Sequence, residues 1–208
     1  MISEVKNIDC IIGMKEFPDK FFDLAIVDPP YGIGNWWKKN TNTKYYCDKK
    51  WNNKIPSAEY FKELFRVSKN QIIWGGNYFT DHLPVTNSWI VWDKLMNDNP
   101  TSDCELAWTS FKIKMTKITV RWSGALKDEK EFKRIHPSQR PVKLHDILLQ
   151  KFAHGDQKIL DTHLGSGSSR ISAYNAGFGF WGFELDKDYF EAQEQRFQNH
   201  IAQQKIEF

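Results

Sequence analysis

A chain of 208 residues, 40% hydrophobic and 15% aromatic, is long enough to bury a core of its own and short enough to form one domain. It has no apolar run of membrane-spanning length and no basic-then-apolar leader, and Cys10, Cys47 and Cys104 are odd in number and never CxxC, so the reading is a cytoplasmic protein with free thiols and no metal site. The formal net charge of +3 is unevenly spread: residues 32–54 hold six Lys against one Asp and residues 112–134 eight Lys or Arg against three acids, so two basic segments sit on an acidic body, which suits a polyanionic partner.

In chain order, Val5 to Cys10 predicts a short strand ending at Asp9, and Ile11 to Phe17 a helical turn before Pro18. Leu24–Val27 reads as a buried parallel strand, stopped by Asp28-Pro29-Pro30-Tyr31. The turn lies at the carboxyl end of a strand, where open α/β sheets place ligands. A planar base with an exocyclic amine would fit it: Asp28 accepts one amino hydrogen, the Pro29 carbonyl the other, and Tyr31 stacks on the ring. Residues 32–54 form a long loop in which Lys38, Lys39, Lys49 and Lys50 interleave with Trp36, Trp37, Tyr45, Tyr46 and Trp51, a composition suited to nucleic acid. Ser57 caps a helix with Tyr60, Phe61, Leu64 and Phe65 on its apolar side, and Gln71–Trp74 is a further buried strand closed by Gly75-Gly76, with Asn77 at the same edge as Asp28.

From Ser88 the pattern alternates, so Trp89–Trp92, Glu105–Thr109 and Ile118–Trp122 predict an antiparallel end to the sheet, with a polar loop over Asp93–Asp103 and an exposed charged stretch over 123–136. A helix follows His136-Pro137-Ser138-Gln139-Arg140-Pro141, its apolar side made by Val142, Leu144, Ile147, Leu148 and Phe152. The strand Lys158–Asp161 then leads into Thr162-His163-Leu164-Gly165-Ser166-Gly167-Ser168-Ser169, a helix to Gly177, the strand Phe180–Glu184 and a final helix from Asp188 to about Gln204 with Phe190, Phe197 and Ile201 on one face. Strand, glycine turn, helix and acid-ended strand make a Rossmann-like nucleotide site, with Glu184 placed for ribose hydroxyls. Arg170 stands where the third glycine of the dinucleotide fingerprint belongs, and Asp161 before the turn is awkward for a pyrophosphate but suits the cationic amino group of S-adenosylmethionine.

Together these motifs resemble the β-class amino-methylating DNA methyltransferases. Asp28 to Tyr31 is similar to that family's motif IV, Asp161 to Ser168 to its motif I, and His136 to Pro141 to its motif X, in the family's circularly permuted order, with the catalytic strand first and the cofactor turn last. Thr162-His163 replace the usual Pro-Phe of motif I, and Arg140 stands where motif X usually carries Lys. The resemblance implies an α/β, Rossmann-like methyltransferase sheet, mostly parallel with an antiparallel end and helices on both faces. It implies one domain over residues 1–208, with the basic aromatic loop at 32–54 and a short insertion or recognition region at about 93–135.

The same resemblance implies site residues. Asp28, Pro29, Pro30 and Tyr31 are the catalytic candidates. Asp9, Cys10, Asp28, Ser138, Gln139, Arg140, Asp161, Thr162, His163, Gly165, Ser166, Gly167, Ser168, Glu184 and Leu185 are the candidates for S-adenosylmethionine, with Ser138 to Arg140 at its methionine end. Trp36, Trp37, Lys38, Lys39, Lys49 and Lys50 are the candidates for double-stranded DNA. The expected activity is adenine-specific amino methylation of DNA by base flipping, of the kind that accompanies restriction enzymes. Cytosine's amino group, RNA as acceptor, and an idle DNA-binding module stay open, as do a homodimer and a specificity or restriction partner.

Overall fold

The computed structural model describes residues 2–34, 52–96, 102–123, 126–127 and 134–204. Trp36, Trp37, Lys38, Lys39, Lys49 and Lys50, expected on DNA, lie outside the described residues, as does most of the loop they belong to.

In chain order the elements are β1 (Ser3–Asn7), α1 (Cys10–Lys15), β2 (Phe22–Val27), α2 (Ala58–Val67), β3 (Ser68–Trp74), β4 (Trp89–Asp93), β5 (Cys104–Thr109) and β6 (Thr116–Thr119). A two-residue hairpin, β7 (Trp122–Ser123) and β8 (Leu126–Lys127), precedes α3 (Val142–Phe152), β9 (Lys158–Asp161), α4 (Ser168–Ala176), β10 (Gly179–Glu184) and α5 (Lys187–Gln204). The main sheet has eight strands in the order β1-β10-β9-β2-β3-β5-β4-β6. Strands β1, β10, β9, β2 and β3 are parallel throughout.

The expected antiparallel end is present and is carried by a single strand. Strand β5 pairs antiparallel with both β3 and β4, whereas β4 pairs parallel with β6, so within this sheet β5 alone runs against the rest. The last predicted strand, Ile118–Trp122, is shifted. β6 stops at Thr119, and Trp122 turns away into the small hairpin, its indole N–H donating to the Gln139 carbonyl at 3.0 Å.

Alternation on the strands sorts the apolar residues onto two cores. Leu24, Ile26, Ile72, Trp74 and Ile159 face Leu144, Leu148, Leu149 and Ala173 of α3 and α4. Ala25, Val27, Ile73, Leu160 and Phe183 face Met14 of α1 and Tyr60, Phe61 and Leu64 of α2. A central strand covered on both faces has to be apolar throughout, which is why Leu24–Val27 reads as a continuous run. Ser57 caps α2 as expected, its hydroxyl accepting from the Tyr60 N–H at 3.4 Å.

Two other expectations are corrected. Asp9 does not end a strand: β1 stops at Asn7, and the Asp9 carboxylate caps α1 by accepting from the Ile11 N–H at 2.8 Å. The buried face of α5 holds Phe197 and the polar Gln193, while Phe190 is only half-buried. Gln193 is there because Arg170 reaches under the helix, its guanidinium 3.7 Å from the Phe197 ring centre and bonded to Ser3, Gln193 and Glu194. The arginine that spoils the dinucleotide fingerprint is a strut between α4 and α5. Among the described residues no helix is long and apolar enough to cross a membrane.

Candidate active site

Because β2, β9 and β10 are neighbours and parallel, their carboxyl ends meet at one edge of the sheet, about 5 Å apart from strand to strand. Asp28 follows β2, Asp161 ends β9 and Glu184 ends β10, so three acids found separately along the sequence stand in one row. A cleft of about 1570 Å³ opens over that edge, lined by all three acids and by Asp9, Cys10, Ser138, Gln139, Arg140, Thr162, His163, Gly165, Ser166, Ser168 and Leu185. Pockets for one small ligand are typically about 300–1,000 Å³, so this cleft has room for a cofactor and a second planar group.

At the Asp28 end the prolines are trans and Pro29 is buried. The Tyr31 hydroxyl donates to Asp28 Oδ1 at 2.6 Å. Its ring stacks on Tyr78 (centroids 4.9 Å, 14° between planes) and lies against Gly75. Gly75 is at φ +69°, and a Cβ there would come within 2.2 Å of the Tyr31 ring, so the glycine that closes β3 is what makes room for the tyrosine. The Tyr31 backbone N–H donates to the Asn52 side chain at 2.7 Å; Asn52 also pairs with Gly34 and so pins both ends of the long loop.

Arg140, expected at the methionine end of the cofactor, lines the same cleft and is engaged with Asp28. Its Nε and Nη2 donate to Asp28 Oδ2 and Oδ1 at 2.9 and 2.7 Å, and Nη2 also reaches the Tyr31 hydroxyl at 2.7 Å. The guanidinium lies 4.5 Å from the Trp74 ring centre and 5.4 Å from that of Trp92. Its third nitrogen, Nη1, makes an ion pair with Glu105 Oε2 at 2.7 Å, without alignment for a hydrogen bond, and Lys94 holds the other Glu105 oxygen at 2.5 Å. Burial alone would push the Glu105 carboxyl up; Arg140 and Lys94 outweigh it and hold it down at about 2. Burial would likewise lower Arg140, but Asp28 and Glu105 raise it well above its ordinary value. Burial and Asp28 push the Tyr31 phenol up despite Arg140, so it is a neutral donor.

The β9 end has a different electrostatic character. The Asp161 carboxylate takes the Ser169 hydroxyl at 2.5 Å and the His163 N–H at 3.0 Å, yet burial pushes it up to about 7, because no described cation faces it. His163 is neutral, lowered to about 4 by burial, and burial pushes the Cys10 thiol up to about 12, so the pair they form at 4.0 Å is uncharged. Gly165 (φ +52°) and Gly167 (φ +72°) carry the chain through two left-handed residues that turn β9 into α4. Glu184 accepts the Gly165 N–H on one oxygen (2.8 Å) and the Asp186 N–H on the other (2.9 Å), which fixes the carboxylate and leaves acceptor positions on both oxygens. Thr162 ties this turn to α2 through the Tyr60 hydroxyl at 2.7 Å. Gln139 is buried and its side chain accepts the Ile135 N–H at 2.9 Å, while Ser138 is exposed at the rim.

Sequence reasoning missed Asn52, Trp74, Tyr78, Trp92, Lys94 and Glu105. The available clue was a charged residue, Glu105, inside an otherwise apolar alternating strand. Strand β5 runs backwards, so its first residues arrive at the same edge as the last residues of β2. Among the described residues no group of three potential metal ligands is present.

A family model described as DNA methylase, of the N6/N4 type, matches residues 74–195. Over 90% of its length the chain is 22% identical to the type II methyltransferase M.HpaI of Haemophilus parainfluenzae, of which it covers 72%. The M1.HpyAVI–SAM complex is similar in fold, with a TM-score of 0.60 at 18% identity, over 94% of this chain and all of that one. The PvuII DNA methyltransferase, described as cytosine-N4-specific, is also similar in fold, at TM-score 0.63 and 13% identity, over 93% of this chain and 85% of that one.

Proposed function

For a chain that belongs to the N6/N4 DNA methylase family, we propose methylation of the exocyclic amino group of adenine in duplex DNA, with S-adenosylmethionine as methyl donor. The family's chemistry is amino methylation of DNA dependent on S-adenosylmethionine. The observation that carries the reading is the row of Asp28, Asp161 and Glu184 along one sheet edge, inside a cleft with space for cofactor and base together.

The residues present fit the cofactor. Asp161 is a buried carboxyl with no described cation near it, a natural partner for the ammonium group, and the Gly165–Gly167 turn is left-handed at both glycines. Glu184, with acceptor positions open on both oxygens, would take ribose hydroxyls. When bound, S-adenosylmethionine supplies a methyl carbon activated by a sulfonium centre.

The base must first leave the duplex, which costs a few kcal/mol of lost stacking. Its amino lone pair is delocalised into the ring, and two acceptors outside the ring plane favour the pyramidal nitrogen that can attack. Asp28 has about four lone-pair positions; Tyr31 and Arg140 fill two on Oδ1 and Arg140 one on Oδ2, which leaves one on Oδ2 for an amino hydrogen. The Pro29 carbonyl takes the second. Held by these two acceptors, the amine would present its lone pair to the activated methyl carbon, and the proton that the methylated nitrogen must lose would pass by way of the Asp28 carboxylate to solvent. A carboxylate at position 28, as the resemblance implies, favours adenine over cytosine.

The test is transfer of tritiated methyl from S-adenosylmethionine to unmethylated duplex DNA or RNA, followed by nucleoside digestion, for wild type and Asp28→Ala. Label in methyladenine from DNA, lost in the variant, is the expected result. Label in methylcytosine moves the assignment to the other amino base, and cofactor binding without transfer to either polymer overturns it in favour of an idle DNA-binding module.

A further inference from the structure

We infer that Glu105 is a positioning residue for the methyl transfer, acting through the Arg140 guanidinium that it shares with Asp28. The inference rests on the reading of Asp28 as the acceptor of the target amine.

Arg140 poses a chemical problem where it stands. The attacking nitrogen passes from neutral to cationic as the N–C bond forms, so a guanidinium on its acceptor opposes the reaction. Arg140 also occupies two of the positions through which Asp28 could serve the base, and the Tyr31 hydroxyl a third. Glu105 answers both difficulties. It contacts the one guanidinium nitrogen that Asp28 does not, at 2.7 Å, from the opposite side of the fork. Its own position is set by Lys94 at 2.5 Å, immediately after β4, while Trp74 and Trp92 hold the guanidinium between the two carboxylates. With two counter-charges the Arg140 cation is divided, and Asp28 keeps electron density and one open position for the amine. With Glu105 neutral, the same cation falls on Asp28 alone.

The reversed strand is what makes this arrangement available. Among the described residues, β5 is the one strand of the main sheet that presents its beginning at the ligand edge, and Glu105 is its second residue.

The experiment measures single-turnover methyl transfer to PCR-amplified, hence unmethylated, duplex DNA at saturating S-adenosylmethionine. Rates are normalised to the number of cofactor-binding sites, so that loss of folded protein cancels. Glu105→Gln, which keeps the shape and removes the charge, is expected to slow transfer about tenfold or more, with the cofactor Kd within about twofold of wild type. Glu105→Asp, which keeps the charge, is expected to recover most of the rate. An unchanged rate in Glu105→Gln, or equal losses in the Gln and Asp variants, overturns the inference. If Glu105→Gln binds no cofactor, Lys94→Met gives a second test, because it removes the group that holds Glu105 in place: the rate should fall severalfold with the cofactor Kd within about twofold of wild type, and an unchanged rate overturns the inference. Asp28→Ala in the same assay separates the two levels. Full activity there removes the reading of Asp28, whereas loss there with full activity in Glu105→Gln removes the role of Glu105 only; no transfer by wild type removes both.

Discussion

With Asp161 proposed as the partner of the cofactor's ammonium group, cofactor affinity should depend on pH in a direction set by the burial of that carboxyl. Burial lifts its carboxyl to about 7, and only the ionised form can neutralise an ammonium group. Between pH 7.5 and 5.5 the ionised fraction falls from about three quarters to about 3%, so the Kd for S-adenosylmethionine should weaken by about 25-fold, or about 2 kcal/mol. The loss occurs as pH falls through about 7. His163, lowered to about 4, stays neutral across this window and adds nothing to the slope. Calorimetric titration in buffers of different ionisation enthalpy should also record release of a proton on binding near pH 6.5. Asp161→Asn should bind weakly and with little pH dependence, which separates Asp161 from Glu184, whose carboxyl burial also raises. Stability without ligand should move the opposite way. The native carboxyl binds its proton at higher pH than an unfolded Asp at about 3.9, so the wild type should gain stability relative to Asp161→Asn as pH falls from 7.5 to 5, by about 2.5 kcal/mol at most. A wild-type Kd that is flat across the window, or one matched by the Asn variant, would refute this account of the cofactor site.

Gly75→Ala forces a Cβ into the Tyr31 ring at a left-handed φ, so it should lower the melting temperature and slow methyl transfer more than about tenfold while leaving cofactor affinity within about twofold. Arg170→Met should cost about 1–3 kcal/mol in chemical denaturation by breaking the strut to Ser3 and Glu194, with an unchanged cofactor Kd despite its place in the glycine motif. Asn52→Ala removes the clip on Tyr31 and Gly34 and should raise the KM for DNA more than it lowers kcat, measured by steady-state transfer. Leu64→Ala, fully buried against the sheet, should cost about 2–5 kcal/mol in the same denaturation assay.

Much of this architecture was legible because the parallel strands are short apolar runs that end on an acid or on glycines, and such punctuation is local. Asp28, Asp161 and Glu184 were each recognisable from the residues beside them. What local pattern could not show is pairing across the fold. Arg140 sits in a segment that reads as a cofactor turn, but its partner Asp28 lies 112 residues away. Arg170 looked like a damaged glycine motif because its function depends on α5, and Gln193 broke the expected apolar stripe for the same reason. Asp9 could end a strand or cap a helix, and the two unsatisfied N–H groups of α1 decided for the cap. The direction of β5 was readable, but alternation alone could not show that β4 pairs with β6 in parallel, and Glu105 at the ligand edge follows from the sheet order rather than from its neighbours.

The strand order also sets a timetable for the newborn chain. Strand β2 pairs with β3 soon after both exist, but its other edge waits for β9, whose Ile159 meets Leu24 across some 135 residues. Until β9 has emerged from the ribosome, the apolar strand that leads into Asp28 has one unsatisfied ladder, the kind of exposed edge that invites self-association. Contacts of such separation slow closure of the sheet. The order in which the gene spells the motifs therefore makes methyl-transfer competence a late event, and places the chain's greatest vulnerability to misassembly in the interval between synthesis of β3 and synthesis of β9.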